Sequence, residues 1–385
     1  GDRHPPYDRP PLSKQYLLDV SWKTDDPYSK ADNFYPDNRV EFRTNSRVAA
    51  LDPAARTATL EDGTVWGYEK LLLATGSTPL HLNLPGHDLQ GVFLLRTIED
   101  AEGIRAALRP GARGVCVGGG YIGMEVASAA TQRGAAMTVV EAAARPWSRF
   151  ASPRIGDFLR RYFEDKGVRF LFEDEVTGFG GEGRLTGVTT NNGHDIPADF
   201  AVVGVGVSLN IELAAEAGLE VDPREGVLVD EHLQTSDPHV YAAGDIACFR
   251  DVAMDRTWHA EHHLNAKWQG QAVGRILAGG EGATPYDRVP YFYSDVFDLH
   301  LCLRGDTKPP GDANTILHGD LDGAEFTELK HDADGVLRGA TIVSRDEPRM
   351  DAISDIVEAL IRVRVNVKAR EAEIGRPGFD LASLQ

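Results

Sequence analysis

Hydrophobic and polar positions change their rhythm several times along this chain. Residues 1–30, rich in Pro, Asp and Tyr, have little periodicity and read as a loop entering a short helix. Short alternating runs then predict strands at 40–43, 47–51, 57–60 and 65–73, with Asp62-Gly63 as a hairpin turn. From 113 to 141 an apolar strand (114–117) meets a glycine cluster, a small-residue helix (121–133) and a second strand (136–141), which is one βαβ unit. A helix at 153–166 and strands at 168–172, 185–190 and 200–207 continue that domain. Beyond it come a strand at 240–243 and an amphipathic stretch at 258–277 that predicts a single helix. Strands at 325–330 and 336–343 flank Ala333-Asp334-Gly335 as a hairpin, and 353–361 carries apolar residues at helical spacing.

Composition narrows the classes this pattern admits. Against 40 Lys+Arg stand 59 Asp+Glu, a formal charge of -19, which argues against non-specific binding to nucleic acid or to an anionic membrane. No apolar run approaches the roughly 18 residues of a membrane span, and no targeting segment is visible at the start. Cys116, Cys248 and Cys302 lie far apart, so a disulfide framework, a zinc cluster and a dithiol redox centre are all disfavoured and a reducing, cytoplasmic setting is expected.

The sharpest chemical signal is GVCVGGGYIGMEVASAATQRGAAMTVVE, where Gly118, Gly120 and Gly123 form G-x-G-x-x-G. In a chain with 40 glycines the triplet alone is common, and its context carries the information. It follows a strand and opens a helix, so Gly118 suits a tight turn, Gly120 the approach of a pyrophosphate, and Gly123 close helix packing. Glu141 ends the next strand, where a carboxylate accepts ribose hydroxyls and repels a 2′-phosphate; NADH is expected over NADPH, although Arg145 stands nearby. His259 and His263 have i,i+4 spacing, but no further Cys or His is suitably placed, so no metal site is expected.

YEKLLLATGSTP at 68–79, VYAAGD at 240–245 and PYDRPPLSK at 6–14 are each commonplace alone. With the glycine fingerprint, in this order, and with VPYFYSD at 289–295 and EHHLNA at 261–266, they resemble the NADH-dependent ferredoxin and rubredoxin reductases. That family includes apoptosis-inducing-factor-like proteins, and the resemblance covers nearly all of the chain. It implies FAD contacts at Arg9, Lys14, Val48, Ala74, Thr75, Gly76, Arg96, Asp245, Glu261, His262 and His263, with Tyr293 as an aromatic platform where relatives usually carry Trp. It pairs Lys14 with Glu125 as the catalytic residues, a cation near the flavin stabilising the negative charge that arrives with hydride. Tyr121, Ile122 and Gly206 join Gly118, Gly120, Gly123 and Glu141 in the cofactor-binding set. The family also begins with a strand, glycine turn and helix for the FAD pyrophosphate; roughly 35 such residues do not precede Gly1, and an upstream reading frame is expected to encode them.

The fold class expected is therefore α/β, with two Rossmann-like dinucleotide-binding domains and a C-terminal α+β domain. The incomplete FAD domain (1–110 and 235–285) is interrupted by an NAD domain (111–234), and 286–385 forms the interface domain. The expected activity is FAD-dependent transfer from NADH to a ferredoxin or rubredoxin, as a soluble protein for which a homodimer is left open. The alternative is an NAD-responsive, apoptosis-inducing-factor-like interaction protein with slow turnover.

Overall fold

The computed structural model describes residues 2–279, 284–306 and 314–385. They form two compact units, one built from Gly1–Arg9, Thr24–Thr78 and Ser208–Pro290, the other from Pro10–Lys23, Pro79–Val207 and Tyr291–Gln385.

The second unit contains the βαβ motif. Strands β1 (Val92–Phe93), β2 (Arg113–Val117), β3 (Ala136–Glu141), β4 (Arg169–Phe172) and β5 (Phe200–Val203) form an all-parallel sheet in the order β1-β5-β2-β3-β4. Helix α1 (Tyr121–Gln132) connects β2 to β3, and residues 123–130 along it are all buried. Its Gly, Ala and Ser positions explain this: a helix buried nearly all round must present small side chains where neighbours come close. Helix α2 (Pro153–Asp165) begins where Ser152 Oγ accepts the Ile155 N–H and Pro153 occupies the first turn.

Five antiparallel strands follow, β6 (Tyr291–Val296), β7 (Leu299–Gly305), β8 (Thr315–Asp320), β9 (Glu325–His331) and β10 (Leu337–Ser344), ordered β6-β7-β10-β9-β8. Helix α3 (Glu347–Arg362), capped by Asp346, packs across β7 and β10. The other face of this sheet carries Phe292, Ser294 and Phe326 toward α1 and α2: Phe292 meets Tyr121, Ser294 bonds Glu125, and Phe326 lies edge-on to Phe158. The predicted hairpin at 325–343 is present, with Gly335 at φ 88 in its turn.

The first unit has a three-stranded meander (Val48–Asp52, Thr57–Leu60, Val65–Gly67) and a parallel pair, Leu71–Leu73 with Val240–Ala242. Leu73, Val227, Val240, Ala242 and Ile246 centre one of its apolar clusters. Three sequence expectations change here. Residues 40–43 form none of the described strands, and Phe42 instead stacks on Tyr35 at 4.6 Å. The run 65–73 divides between two sheets, because residues 68–70 leave the meander. The single helix over 258–277 begins only at His263; Trp258 closes a strand whose register is fixed by Phe249 opposite it and by its indole N–H on Asp251. His259 and His263 therefore do not share a helical face.

Candidate active site

The glycine turn follows directly from β2. Gly118 has φ 101, and a Cβ there would lie 2.5 Å from Gly204 O; a Cβ on Gly123 would lie 2.0 Å from Gly118 O. Those glycines are required by the packing of strand, turn and helix. Gly120, the N-cap of α1, has nothing closer to its missing Cβ than Phe150 at 3.9 Å. Its open side faces a cavity of about 700 Å³ lined by the turn, Glu141, Trp147, Phe150 and Gly204–Gly206. Gly206 sits at φ 117 on the far wall, its carbonyl accepting Leu80 N–H at 2.9 Å, and Ile122 packs against Gly204.

The loop after β3 folds back on the turn. Glu141 accepts Gly119 N–H at 2.5 Å and Ala143 N–H at 2.8 Å, while Trp147 donates its backbone N–H to Gly119 O at 3.0 Å. Arg145 is held by Asp157 on α2 at 2.9 Å. Tyr121 lies between Phe150 (centroids 4.3 Å, stacked) and Phe292 (3.8 Å, tilted), with Trp147 edge-on at 4.8 Å. Burial among these rings pushes the Tyr121 phenol well above its usual range.

One turn further along α1, Glu125 meets Lys14. Lys14 Nζ lies 3.0 Å from Glu125 Oε1 and 3.3 Å from Pro10 O, both side chains being almost wholly buried. Ser294 Oγ donates to Glu125 Oε1 at 2.6 Å, and Ser13 Oγ donates to Glu125 Oε2. The Tyr293 ring is 5.3 Å from Lys14 Nζ. Arg96, in the same unit, immediately precedes the Thr97 cap of helix Ile98–Ala107, and its backbone N–H binds Asp100.

In the first unit, the paired parallel strands bring their carboxyl ends together, the position at which open α/β sheets bind ligands. Ala74 and Thr75 are exposed there, Gly76 has φ 66, and Ser77 Oγ donates to Asp245 at 2.7 Å. Asn210 braces the turn, its amide donating to Thr75 O and accepting Thr78 Oγ1–H. Gly244 N–H binds Gln269 Oε1 at 2.8 Å. Val48 starts the meander, and Arg9 lies over the Tyr7 ring at 5.4 Å. His259 bridges Glu225 and Glu261 at 3.0 and 3.1 Å, and its pKa is raised first by the Glu261 hydrogen bond. His262 stands at the N-cap position of the following helix without a side-chain capping bond, desolvation pushes its imidazole down to about 4, and His263 faces Asp8 at 3.8 Å.

Both sites pass a test of fit. The glycine turn leaves open space where a dinucleotide backbone would run, with a helix N-terminus beside it and a carboxylate at the strand end for ribose hydroxyls. In the first unit, the Asp245 carboxylate and the exposed residues Ala74 and Thr75 leave polar surface suited to a polyhydroxyl chain.

Sequence reasoning missed Ser13, Ser294, Gly119, Trp147 and Phe150. The first two stood inside segments already singled out, beside Lys14 and Tyr293, and strand alternation places Ser294 with Phe292 on one face. Trp147 and Phe150 belong to a loop without periodic signal.

A family model described as pyridine nucleotide-disulphide oxidoreductase matches residues 1–270. A probable ferredoxin reductase of Castellaniella defragrans is 39% identical over 340 residues, 87% of this chain and 80% of the relative. A rubredoxin-NAD(+) reductase of Pseudomonas putida is 37% identical over 77% of this chain and 76% of its own. Among solved structures, a ferredoxin reductase from Rhodopseudomonas palustris superposes with TM-score 0.90 at 32% identity, covering 99% of this chain and 91% of that one. The reductase-putidaredoxin covalent complex matches with TM-score 0.90 at 30% identity, covering 100% and 90%.

Proposed function

The chain belongs to the pyridine nucleotide-disulphide oxidoreductase family, and from that premise we propose that it is an FAD-dependent reductase that takes hydride from NADH and passes electrons to a ferredoxin or rubredoxin. The observation that carries this reading is the buried ion pair that Lys14 makes with Glu125, a residue of the helix that starts at the glycine turn. Glu125 lies five positions after Gly120, about 7.5 Å of helical rise. That spacing puts the cation's carboxylate partner and the dinucleotide cradle on one rigid element.

Bound FAD would supply the chemistry that links a two-electron donor, NADH, to a one-electron carrier. The protein's own residues bind and orient. Gly118, Gly120 and Gly123 shape the turn for the NADH pyrophosphate, and Glu141 selects a free ribose hydroxyl. Tyr121, Ile122 and Gly206 complete the set assigned to the dinucleotide. Lys14, fixed by Glu125, supplies positive charge where negative charge arrives, with Tyr293 as the neighbouring aromatic. Ala74, Thr75, Gly76, Asp245, Arg9, Val48, Arg96, Glu261, His262 and His263 are assigned to holding the flavin.

The chain's three cysteines are separate and buried, so no dithiol lies in the path and transfer to the partner is direct. Residues 1–110 with 235–285 form the flavin domain in this reading, 111–234 the nicotinamide domain and 286–385 the interface domain. No helix among the described residues is long and apolar enough to cross a membrane, and a cytoplasmic location fits NADH as donor.

The test is the visible spectrum of the FAD-loaded protein before and after anaerobic NADH, followed by cytochrome c reduction with and without an added ferredoxin or rubredoxin. Rapid bleaching and reduction that depends on the added carrier support the reading. A flavin band that survives NADH overturns it.

A further inference from the structure

We propose that Ser13 and Ser294 are positioning residues that lock the Glu125 carboxylate, and through it the Lys14 ammonium, into the one orientation used for hydride transfer; this rests on the reading that Lys14 and Glu125 serve the flavin. A glutamate carboxylate turns easily about its last bond, where no strong rotamer preference exists. Here both oxygens are occupied. Ser13 Oγ donates to Oε2, whereas Ser294 Oγ donates to Oε1 at 2.6 Å beside Lys14 Nζ at 3.0 Å. Ser13, Ser294 and Glu125 are 2%, 0% and 4% exposed, so water does not readily replace a lost hydroxyl.

The donors come from separate stretches of chain. Ser13 ends the turn Pro10–Ser13 and adjoins Lys14, so the carboxylate grips consecutive residues. Ser294 lies on β6 and adjoins Tyr293, whose ring is 5.3 Å from Lys14 Nζ. Ser128, one turn beyond Glu125 on α1, accepts the Phe297 N–H at 2.6 Å and fastens the end of β6 to the same helix. Cation, carboxylate and aromatic ring are thus set by hydroxyl contacts to a single rigid helix. Charge-assisted hydrogen bonds of this type define direction as well as distance.

The test compares Ser294→Val with Ser294→Thr in the FAD-loaded protein, since these side chains share a shape and differ in the hydroxyl. The expected result is a roughly tenfold fall in kcat for NADH oxidation in Ser294→Val, with KM held within about twofold, and recovery of most of the loss in Ser294→Thr. The same two substitutions at Ser13 are expected to behave alike. Equal impairment of Val and Thr would assign the effect to packing and overturn the proposal, as would wild-type kcat in both or a change confined to KM. Thermal midpoints give a readout independent of turnover: Ser294→Val is expected to melt about 3 °C below Ser294→Thr, because a buried carboxylate loses a donor. If the wild-type protein itself fails to oxidise NADH while this difference in melting persists, the reductase reading fails and the carboxylate lock stands. Identical melting of the two variants overturns the lock.

Discussion

Glu141 reaches from the end of β3 to the glycine turn, its Oε2 accepting the Gly119 N–H at 2.5 Å while its Oε1 takes the Ala143 N–H at 2.8 Å. The carboxylate assigned to the ribose therefore also holds the turn assigned to the pyrophosphate. Arg145, the residue that could favour a 2′-phosphate, is engaged by Asp157 instead. Glu141→Gln keeps one of the two acceptor oxygens, sets an NH2 against the other backbone N–H, and removes the charge that repels phosphate. We expect the NADH over NADPH preference in kcat/KM to narrow about tenfold, equivalent to roughly 1.4 kcal/mol. Steady-state kinetics with both nucleotides measure it, and an unchanged ratio counts against Glu141 as the discriminating group.

The glycines of the turn separate structural from binding roles. Gly123→Ala places a Cβ 2.0 Å from Gly118 O, a backbone atom that cannot yield without moving the turn. A destabilisation of about 1–3 kcal/mol is expected, seen in urea or thermal unfolding. Gly120→Ala meets nothing nearer than 3.9 Å, so stability changes by about 1 kcal/mol or less, yet the added methyl enters the space a pyrophosphate needs. Its KM for NADH should rise about tenfold without a matching loss in melting temperature.

Lys14 and Glu125 are unequal partners. Lys14→Met leaves Glu125 with its two serine donors, whereas Glu125→Ala leaves a buried ammonium without its carboxylate, with Pro10 O at 3.3 Å and the Tyr293 ring at 5.3 Å. Glu125→Ala is expected to cost about 3–5 kcal/mol and Lys14→Met distinctly less. Lys14→Met should still slow flavin reduction about 100-fold in anaerobic stopped-flow measurements, since the electrostatic stabilisation is lost. Full-speed reduction by Lys14→Met would remove the cation from the mechanism.

Much of this arrangement is legible in the sequence alone. The βαβ unit announced itself because its apolar strands, small-residue helix and glycine spacing all obey short-range rules. The Lys14–Glu125 pair came only through family resemblance, because residues 111 positions apart leave no periodic trace. Helical spacing misled at 258–262, where apolar Trp258 and Ala260 fit a helix but the strand pairing of Trp258 with Phe249 prevails. The serine lock was invisible for a related reason: a Ser at either site is ordinary until the fold brings its hydroxyl to a carboxylate.

His259 and His262 stand three residues apart in the stretch around the helix start, and their environments act on them oppositely. Hydrogen bonds and charge from Glu261 and Glu225 raise the His259 pKa above its unfolded value of about 6.5. Its contribution to stability is complete below about pH 6.5 and is lost as pH rises through the raised folded value. Desolvation depresses His262 to about 4, so folding binds its proton less well than the unfolded chain does. Stability associated with His262 is intact above about pH 6.5 and falls away as pH drops toward 4. Melting temperatures of His259→Gln and His262→Asn, each compared with the parent from pH 4 to 8, should diverge in opposite senses. His259→Gln is expected to melt below the parent by the largest margin in acid, the gap closing as pH rises, while His262→Asn gains on the parent as pH falls below about 6.5. Parallel profiles for the two variants would mean that the carboxylates around His259 do not hold its proton in solution.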